Sequence, residues 1–152
     1  MPVRNAIQDM HEEFTAYRRT LHQNPQTAFE EVFISTFVGQ KLSEWGITFE
    51  SGLGGTGVVA TLKGRKTGSG KSIGLRADMD ALDIPEEGVK DWISKIPGKM
   101  HGCGHDGHTV MLLGAAKYLS ENPNFDGTVH LIFQPAEETG KGAKAMMADG
   151  LF

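Results

Sequence analysis

The nine residues from Met100 to His108 constrain this chain more than any other stretch of it. They contain three histidines, the only cysteine of the sequence and an aspartate. Cys103 and His105 are two positions apart, so a turning backbone brings a thiolate and an imidazole to one ion, and zinc and similar metals accept both groups. The stretch therefore predicts half of a metal site, to which the rest of the chain must bring further ligands.

Glycines on both sides of Cys103 predict a strained loop here, because Gly102 and Gly104 allow backbone conformations that other residues avoid. Asp106 and His108 are expected to support the ligands, since a metal-bound imidazole usually donates its other N–H to a carboxylate or carbonyl. The alternative is that Cys103 is a small buried apolar residue among ordinary surface histidines. The density of ligating side chains favours the metal site.

Length and charge exclude several classes of protein. A chain of 152 residues fits one domain with a core of its own. A net charge of -4 without a basic cluster argues against nucleic acid and acidic membrane surfaces as partners. One cysteine forms no internal disulfide, residues 1–14 lack the apolar run of a secretory signal, and no apolar stretch approaches the roughly 18 residues of a membrane helix. We therefore expect a cytoplasmic protein with no membrane segment.

Apolar residues spaced three and four positions apart predict two helices near the start of the chain. The first ends near His22, before Asn24-Pro25, and the second is capped by Gly46. The apolar positions of the first are Val3, Ile7, Met10, Phe14, Tyr17 and Leu21; those of the second are Ile34, Val38, Leu42 and Trp45, with Phe33 and Phe37 also assigned to the core.

Four runs of β-forming residues predict strands at 47–50, 57–63, 72–77 and 128–133, and the last, continuously apolar, is typical of a central strand. Residues 81–99 predict a long functional surface loop. A helix over 110–119, apolar almost all round, should be buried and end at Asn122-Pro123, and residues 142–149 should begin another helix.

Asp78 and Asp80 follow the third predicted strand, at the edge of an open α/β sheet where ligands bind. Side chains alternate along a strand, so both carboxylates should point the same way if pairing continues. The alternative is that they cap the next turn. The pair is thus a second candidate contribution to the site.

Glu137 and Glu138 follow the fourth predicted strand. A hydrolytic metal site needs a ligand and a nearby carboxylate that takes a proton from water activated by the ion, and two adjacent glutamates can divide those tasks. Taken alone, the pair beside residues 139–142 fits a solvated turn more readily. The residues by themselves leave both interpretations open.

Four motifs occur in order along the chain: His22-Gln23-Asn24-Pro25 with Phe29-Glu30-Glu31, residues 74–82, residues 100–109, and residues 133–138. Together they resemble the metal-dependent amidohydrolases, a family that includes hippurate hydrolase, N-acyl amino acid amidohydrolases and auxin-conjugate hydrolases. The resemblance extends from Ala6 to Phe152. The departures are Gly102 in place of the family's common alanine and Asp83 in place of its usual proline.

The resemblance implies a three-layer α/β/α zinc-peptidase-like catalytic domain with a mixed central sheet. Residues 1–152 would be its N-terminal part, truncated at the C-terminus, without the lid or dimerisation domain and the last ligands. An incomplete domain is expected to self-associate through exposed core surface. The competing interpretation is a non-catalytic remnant that binds metal weakly or needs a partner chain.

The same resemblance implies roles for individual residues. Cys103, His105 and Glu138 would be metal ligands and Glu137 the general base, with Asp78, Asp80, Asp106 and His108 in supporting positions. Two divalent ions, zinc or manganese with cobalt as a further candidate, would act on a small N-acyl amino acid.

Overall fold

A mixed four-stranded sheet forms the centre of the computed structural model, which describes residues 5–152. None of the helices described is long and apolar enough to cross a membrane. The strands are β1 (Phe49–Leu53), β2 (Gly57–Lys63), β3 (Ser72–Asp78) and β4 (Thr128–Gln134); the helices are α1 (Asn5–Asp9), α2 (His11–His22), α3 (Val32–Glu44), α4 (His105–Glu121) and α5 (Gly142–Ala148).

The strands lie in the order β1-β2-β4-β3, so β4 is central, as its continuous apolar run predicts. β1 with β2 and β2 with β4 are antiparallel, whereas β3 and β4 are parallel. In the parallel pair Asp78 lies opposite Gln134. The segments that follow β3 and β4 therefore leave the sheet at the same edge.

Side-chain alternation places one set of apolar residues of the sheet on the face that meets the core. Ala60 and Leu75 both pair with Leu131, and Val58 and Ala77 both pair with Phe133. Each fully buried Leu, Ile or Phe contributes about 1.5–3 kcal/mol, so this face anchors the helices. The helical residues in the same core are Leu21, Ile34, Val38, Leu42, Val110, Leu112, Leu113 and Ala116.

Helix α5 lies on the opposite face of the sheet. Gly57 directly precedes Val58 in β2, and successive side chains of a strand point to opposite faces. A side chain at Gly57 would therefore point away from the core. A Cβ at Gly57 would lie 2.8 Å from the Cε of Met146, a residue of α5. Helices on both sides of a mixed sheet confirm the predicted fold class.

The first helix and the first strand differ from the sequence prediction in their boundaries. The first predicted helix is divided at Met10, whose N–H bonds to the carbonyl of Ile7, a tighter 3₁₀-type turn; Val3 lies outside the described residues. The first strand begins at Phe49 and not at Ile47, because the N–H of Ile47 is used by the end of α3, on the Leu42 carbonyl. Gly46, at φ 67°, ends α3 as predicted.

Two predictions of burial were wrong. Phe33 is 37% exposed and stacks on Phe37 at the surface of α3, with ring centroids 6.5 Å apart. Met111 of α4 is 66% exposed, because it faces the groove between α2 and α4 and not the sheet. Apolar content alone did not reveal which side of either helix meets the core.

We expect Gly142→Ala to destabilise the protein strongly. A Cβ there would lie 1.6 Å from the Pro135 carbonyl oxygen, so the backbone after β4 would have to shift. Overpacking of this kind costs about 1–3 kcal/mol or more of unfolding free energy, measured by urea denaturation. The control is Gly107→Ala in α4, where an added Cβ would meet nothing within 4 Å. Because alanine favours a helix more than glycine does, this variant should be more stable by about 1 kcal/mol. Equal stabilities of the two variants would contradict this packing.

Candidate active site

The predicted ligands Cys103, His105 and Glu138 meet at the edge of the sheet where β3 and β4 end. Their thiol, imidazole and carboxylate ligand atoms all lie within 4.8 Å of one another. His105 Nε2 lies 3.8 Å from a carboxylate oxygen of Glu138 and 3.8 Å from one of Glu137. The structure thus brings the three predicted ligands and the predicted base together, although they come from two distant parts of the chain.

The loop predicted around Cys103 extends only to Gly104. That residue has φ 81°, a left-handed conformation that suits glycine, and it forms the N-cap of α4. His105, Asp106 and His108 consequently lie in the first turn of the helix. A helix gives these side chains fixed directions, which a free loop would not.

Asp80 connects two of the predicted ligands, His105 and Glu138. His105 Nδ1 lies 2.8 Å from the Asp80 carbonyl oxygen and 3.2 Å from its Oδ1, which leaves Nε2 free for an ion. The Glu138 N–H donates to Asp80 Oδ2 at 3.0 Å. Burial raises the pKa of Asp80, but the hydrogen bonds from His105 and the backbone of Glu138 and Glu137 outweigh it and lower the pKa. Asp80 is therefore the carboxylate that orients His105.

Asp106 does not take the position predicted for it. Its buried carboxylate faces α2, where Oδ2 accepts from His22 Nδ1 at 2.7 Å and from Arg18 Nε at 2.9 Å. Consecutive residues of a helix point about 100° apart, so Asp106 turns away when His105 faces the site. Any support that it gives the candidate site is therefore indirect.

His108 stands one helical turn after His105, with ring centroids 5.5 Å apart. Its Nδ1 lies 2.6 Å from Asp78 Oδ1, and Arg76 Nη1 lies 3.2 Å from Asp78 Oδ2. Asp78, His105 and His108 form a second group whose ligand atoms lie within 4.8 Å of one another. The two groups share His105, so they are two sides of one site.

Cys103 is exposed, and in the metal-free chain its thiol is protonated at neutral pH. A hydrogen bond with Glu138, together with desolvation of the thiol and the charges of Glu138, Glu137 and Asp78, raises the pKa of Cys103 to about 11. Binding of an ion must therefore release a proton. Sulfur, nitrogen and oxygen donors at these distances fit a divalent ion of the zinc class.

A buried cluster behind α4 was not found by sequence reasoning. His22 is 1% exposed, and its Nε2 lies 3.0 Å from Glu86 Oε1, opposite the contact of Nδ1 with Asp106. Trp92 packs edge-on against His22 at 5.0 Å between centroids. Glu86 and Trp92 belong to the loop between β3 and α4, so His22 fixes that loop to α2 and α4. The only feature of the sequence that pointed to this cluster was the motif His22-Gln23-Asn24-Pro25.

We expect Glu86→Gln to loosen this loop at neutral pH and to matter less in acid. Burial raises the pKa of Glu86, but hydrogen bonds from His22, the Ser94 N–H and Lys90 lower it from 4.5 to about 2. The ionised carboxylate therefore stabilises the fold above pH 4.5, and this contribution is lost as the pH falls towards 2. Urea unfolding at pH 7 should show a loss of about 1–2 kcal/mol that shrinks below pH 4.

The matched control is Glu87→Gln, the same change at the exposed neighbouring position. It should have little effect at any pH. A loss from Glu86→Gln that stays constant between pH 7 and pH 3 would show that the charge of Glu86 is not what holds the loop.

A mixed α/β sheet thus carries, at one edge, three donors suited to a divalent ion and a second glutamate beside them. The sequence profile described as Peptidase family M20/M25/M40 matches residues 74–152, and the chain belongs to this family. The hippurate hydrolase of Campylobacter jejuni is 51% identical over 146 residues, 96% of this chain. IAA-amino acid hydrolase ILR1-like 5 of Arabidopsis thaliana is 46% identical over 145 residues, 95% of this chain.

Among solved structures, the Bacillus subtilis YXEP protein, described as a dinuclear metal binding peptidase of the M20 family, superposes with a TM-score of 0.89 at 38% identity over 95% of this chain. The chain spans 37% and 33% of the two enzymes' lengths and 40% of the crystallised chain. The similarity therefore covers nearly all of this chain and less than half of each relative.

Proposed function

We propose that this chain forms the N-terminal part of the catalytic domain of a metal-dependent amidohydrolase that cleaves N-acyl amino acids of the hippurate type. The observation that carries the proposal is the convergence of Cys103, His105 and Glu138 within 4.8 Å, with a carboxylate oxygen of Glu137 3.8 Å from His105. Three different donors beside a spare carboxylate are what metal-assisted hydrolysis requires.

Each residue has a distinct task in this reaction. A divalent ion, when bound, supplies Lewis-acid activation of water and of the amide carbonyl. Glu137, with a side chain 40% exposed, takes a proton from the attacking water and passes it to the nitrogen of the leaving amino acid. The new C–O bond forms first, and the amide C–N bond breaks once its nitrogen has received the proton, which leaves a carboxylic acid and a free amine. Asp80 keeps His105 in the tautomer that presents Nε2.

The names of the relatives support the substrate class. Hippurate hydrolase and IAA-amino acid hydrolase are both named for compounds in which an acyl group is joined to an amino acid. The description of the YXEP protein as dinuclear supports two ions in the whole enzyme. We propose zinc or manganese, with cobalt as a further candidate, and a cytoplasmic location stays a prediction.

Titration of the purified chain with zinc tests the metal centre. We expect Cys103→Ala and His105→Ala to lose most of the binding seen by calorimetry, because each removes one of three ligands. Affinity in the unaltered chain should rise with pH, since the Cys103 thiol, whose pKa is about 11, must lose its proton. His11→Ala, which removes an exposed histidine from α2, is the control. Unchanged affinity in Cys103→Ala would remove this residue from the site.

A further inference from the structure

Glu31 is a fully buried carboxylate whose partners are neutral donors. It lies at the N-cap of α3, and its relative exposure is 0%. Oε1 accepts from the N–H of Phe29 at 3.0 Å and from the N–H of Ala136 at 2.8 Å, while Oε2 accepts from the Thr56 hydroxyl at 2.6 Å. A buried charge is costly, so three hydrogen bonds focused on one carboxylate indicate a specific task.

The two backbone donors share an unusual conformation. Phe29 has φ 66° and Ala136 has φ 49°, and they are the only non-glycine residues with positive φ in residues 5–152. Left-handed conformations are unfavourable for residues that carry a Cβ, and they persist only where surrounding contacts hold them. Both strained N–H groups donate to the same oxygen of Glu31, which therefore holds both conformations.

Ala136 directly precedes the two glutamates of the candidate site. Its carbonyl accepts from the Gly142 N–H at 3.1 Å and from the Thr139 hydroxyl at 3.2 Å, so the turn after β4 is closed around it. The direction of the backbone at Ala136 sets where Glu137 and Glu138 point. We propose that Glu31 is a positioning residue for this pair, acting through the Ala136 N–H; the inference rests on the proposed metal centre.

Three variants separate hydrogen bonding from charge and from general stability. Glu31→Gln keeps an oxygen for both N–H groups and places an amide beside Thr56. Glu31→Leu removes every acceptor at similar size. Thr56→Val removes the hydroxyl contact alone and leaves Ala136 bound to Glu31, so it is the matched control for stability.

Two measurements on the purified 152-residue chain test the proposal. Amide hydrogen exchange reports whether the Ala136 N–H is held. Cobalt titration, followed by the absorption of a cobalt–thiolate centre, reports affinity and coordination. We expect Glu31→Leu to lose protection at Ala136 and to bind cobalt about 10- to 100-fold more weakly, the usual effect of losing an outer partner of a metal site. Glu31→Gln and Thr56→Val should keep both properties close to those of the unaltered chain.

If Glu31 only stabilises the fold, cobalt affinity should follow the free energy of unfolding across the variants. Thr56→Val, which also loses a buried hydrogen bond, would then weaken cobalt binding as well. That result, or a folded Glu31→Leu with unchanged affinity, overturns the proposal. If Glu31→Leu does not fold, Glu31→Asp replaces it, since the shorter side chain keeps the charge and withdraws from Ala136. Failure of the unaltered chain to bind cobalt would refute the metal centre instead, while Ala136 exchange would still report on Glu31.

Discussion

Replacing Glu137 with glutamine is expected to lower turnover by about a hundred- to ten-thousand-fold in a full-length enzyme that carries this chain. The amide keeps the shape of the side chain but cannot take the proton that the attacking water must lose. Glu137 is not one of the three side chains whose ligand atoms converge, so the metal content of the variant should not change. KM should change much less than kcat, because the lost interaction belongs to the proton transfer.

A chimera allows this measurement. Residues 1–152 replace the matching part of the Campylobacter jejuni hippurate hydrolase, to which the chain is 51% identical, and release of glycine from hippurate is followed. Glu121→Gln, a neutralised exposed glutamate at the far end of α4, is the control. A Glu137→Gln chimera with near-normal rate would assign the proton transfer to another carboxylate, such as that of Asp78 or Asp80.

Local signals in the sequence were sufficient for much of the fold. The apolar run of β4 identified the central strand, and Gly46 and Asn122-Pro123 marked two helix ends. The spacing of Cys103 and His105 pointed to two of the residues that converge, whereas Glu137 and Glu138 were assigned to the site only through the resemblance to the amidohydrolases. Each of these features depends on residues close in sequence or on the parallel pairing of two neighbouring strands.

Contacts between distant residues were not predictable in the same way. Asp106 and His22 are 84 positions apart, His22 and Glu86 are 64 apart, and Glu31 and Ala136 are 105 apart. No periodicity links such pairs, because their meeting depends on how α2, α3 and the loop after β3 pack together. The exposure of Met111 has the same cause, since the orientation of α4 is set by the sheet and α2.

The second group of potential ligands does not supply an independent ion site. Two ligand atoms of one tetrahedral zinc, each about 2.0–2.1 Å from it, lie about 3.3 Å apart. Asp78 Oδ1 and His108 Nδ1 are 2.6 Å apart, the distance of a hydrogen bond, and His105 already belongs to the first group. Residues 5–152 therefore offer three donors to one ion. For a second ion they offer only His105, which the first group already uses, and two side chains that are hydrogen-bonded to each other.

The 152-residue chain by itself is accordingly expected to hold one divalent ion and to release no measurable amino acid from N-acyl amino acids. Two catalytic ions need about four or five positions each, with one left for water, and this chain brings Cys103, His105 and Glu138 together. Metal analysis after dialysis should give one equivalent, and assays with zinc, manganese or cobalt and benzoyl-glycine should give no turnover. Two bound ions together with metal-dependent turnover that disappears in Glu137→Gln would show that this part of the enzyme suffices for the reaction.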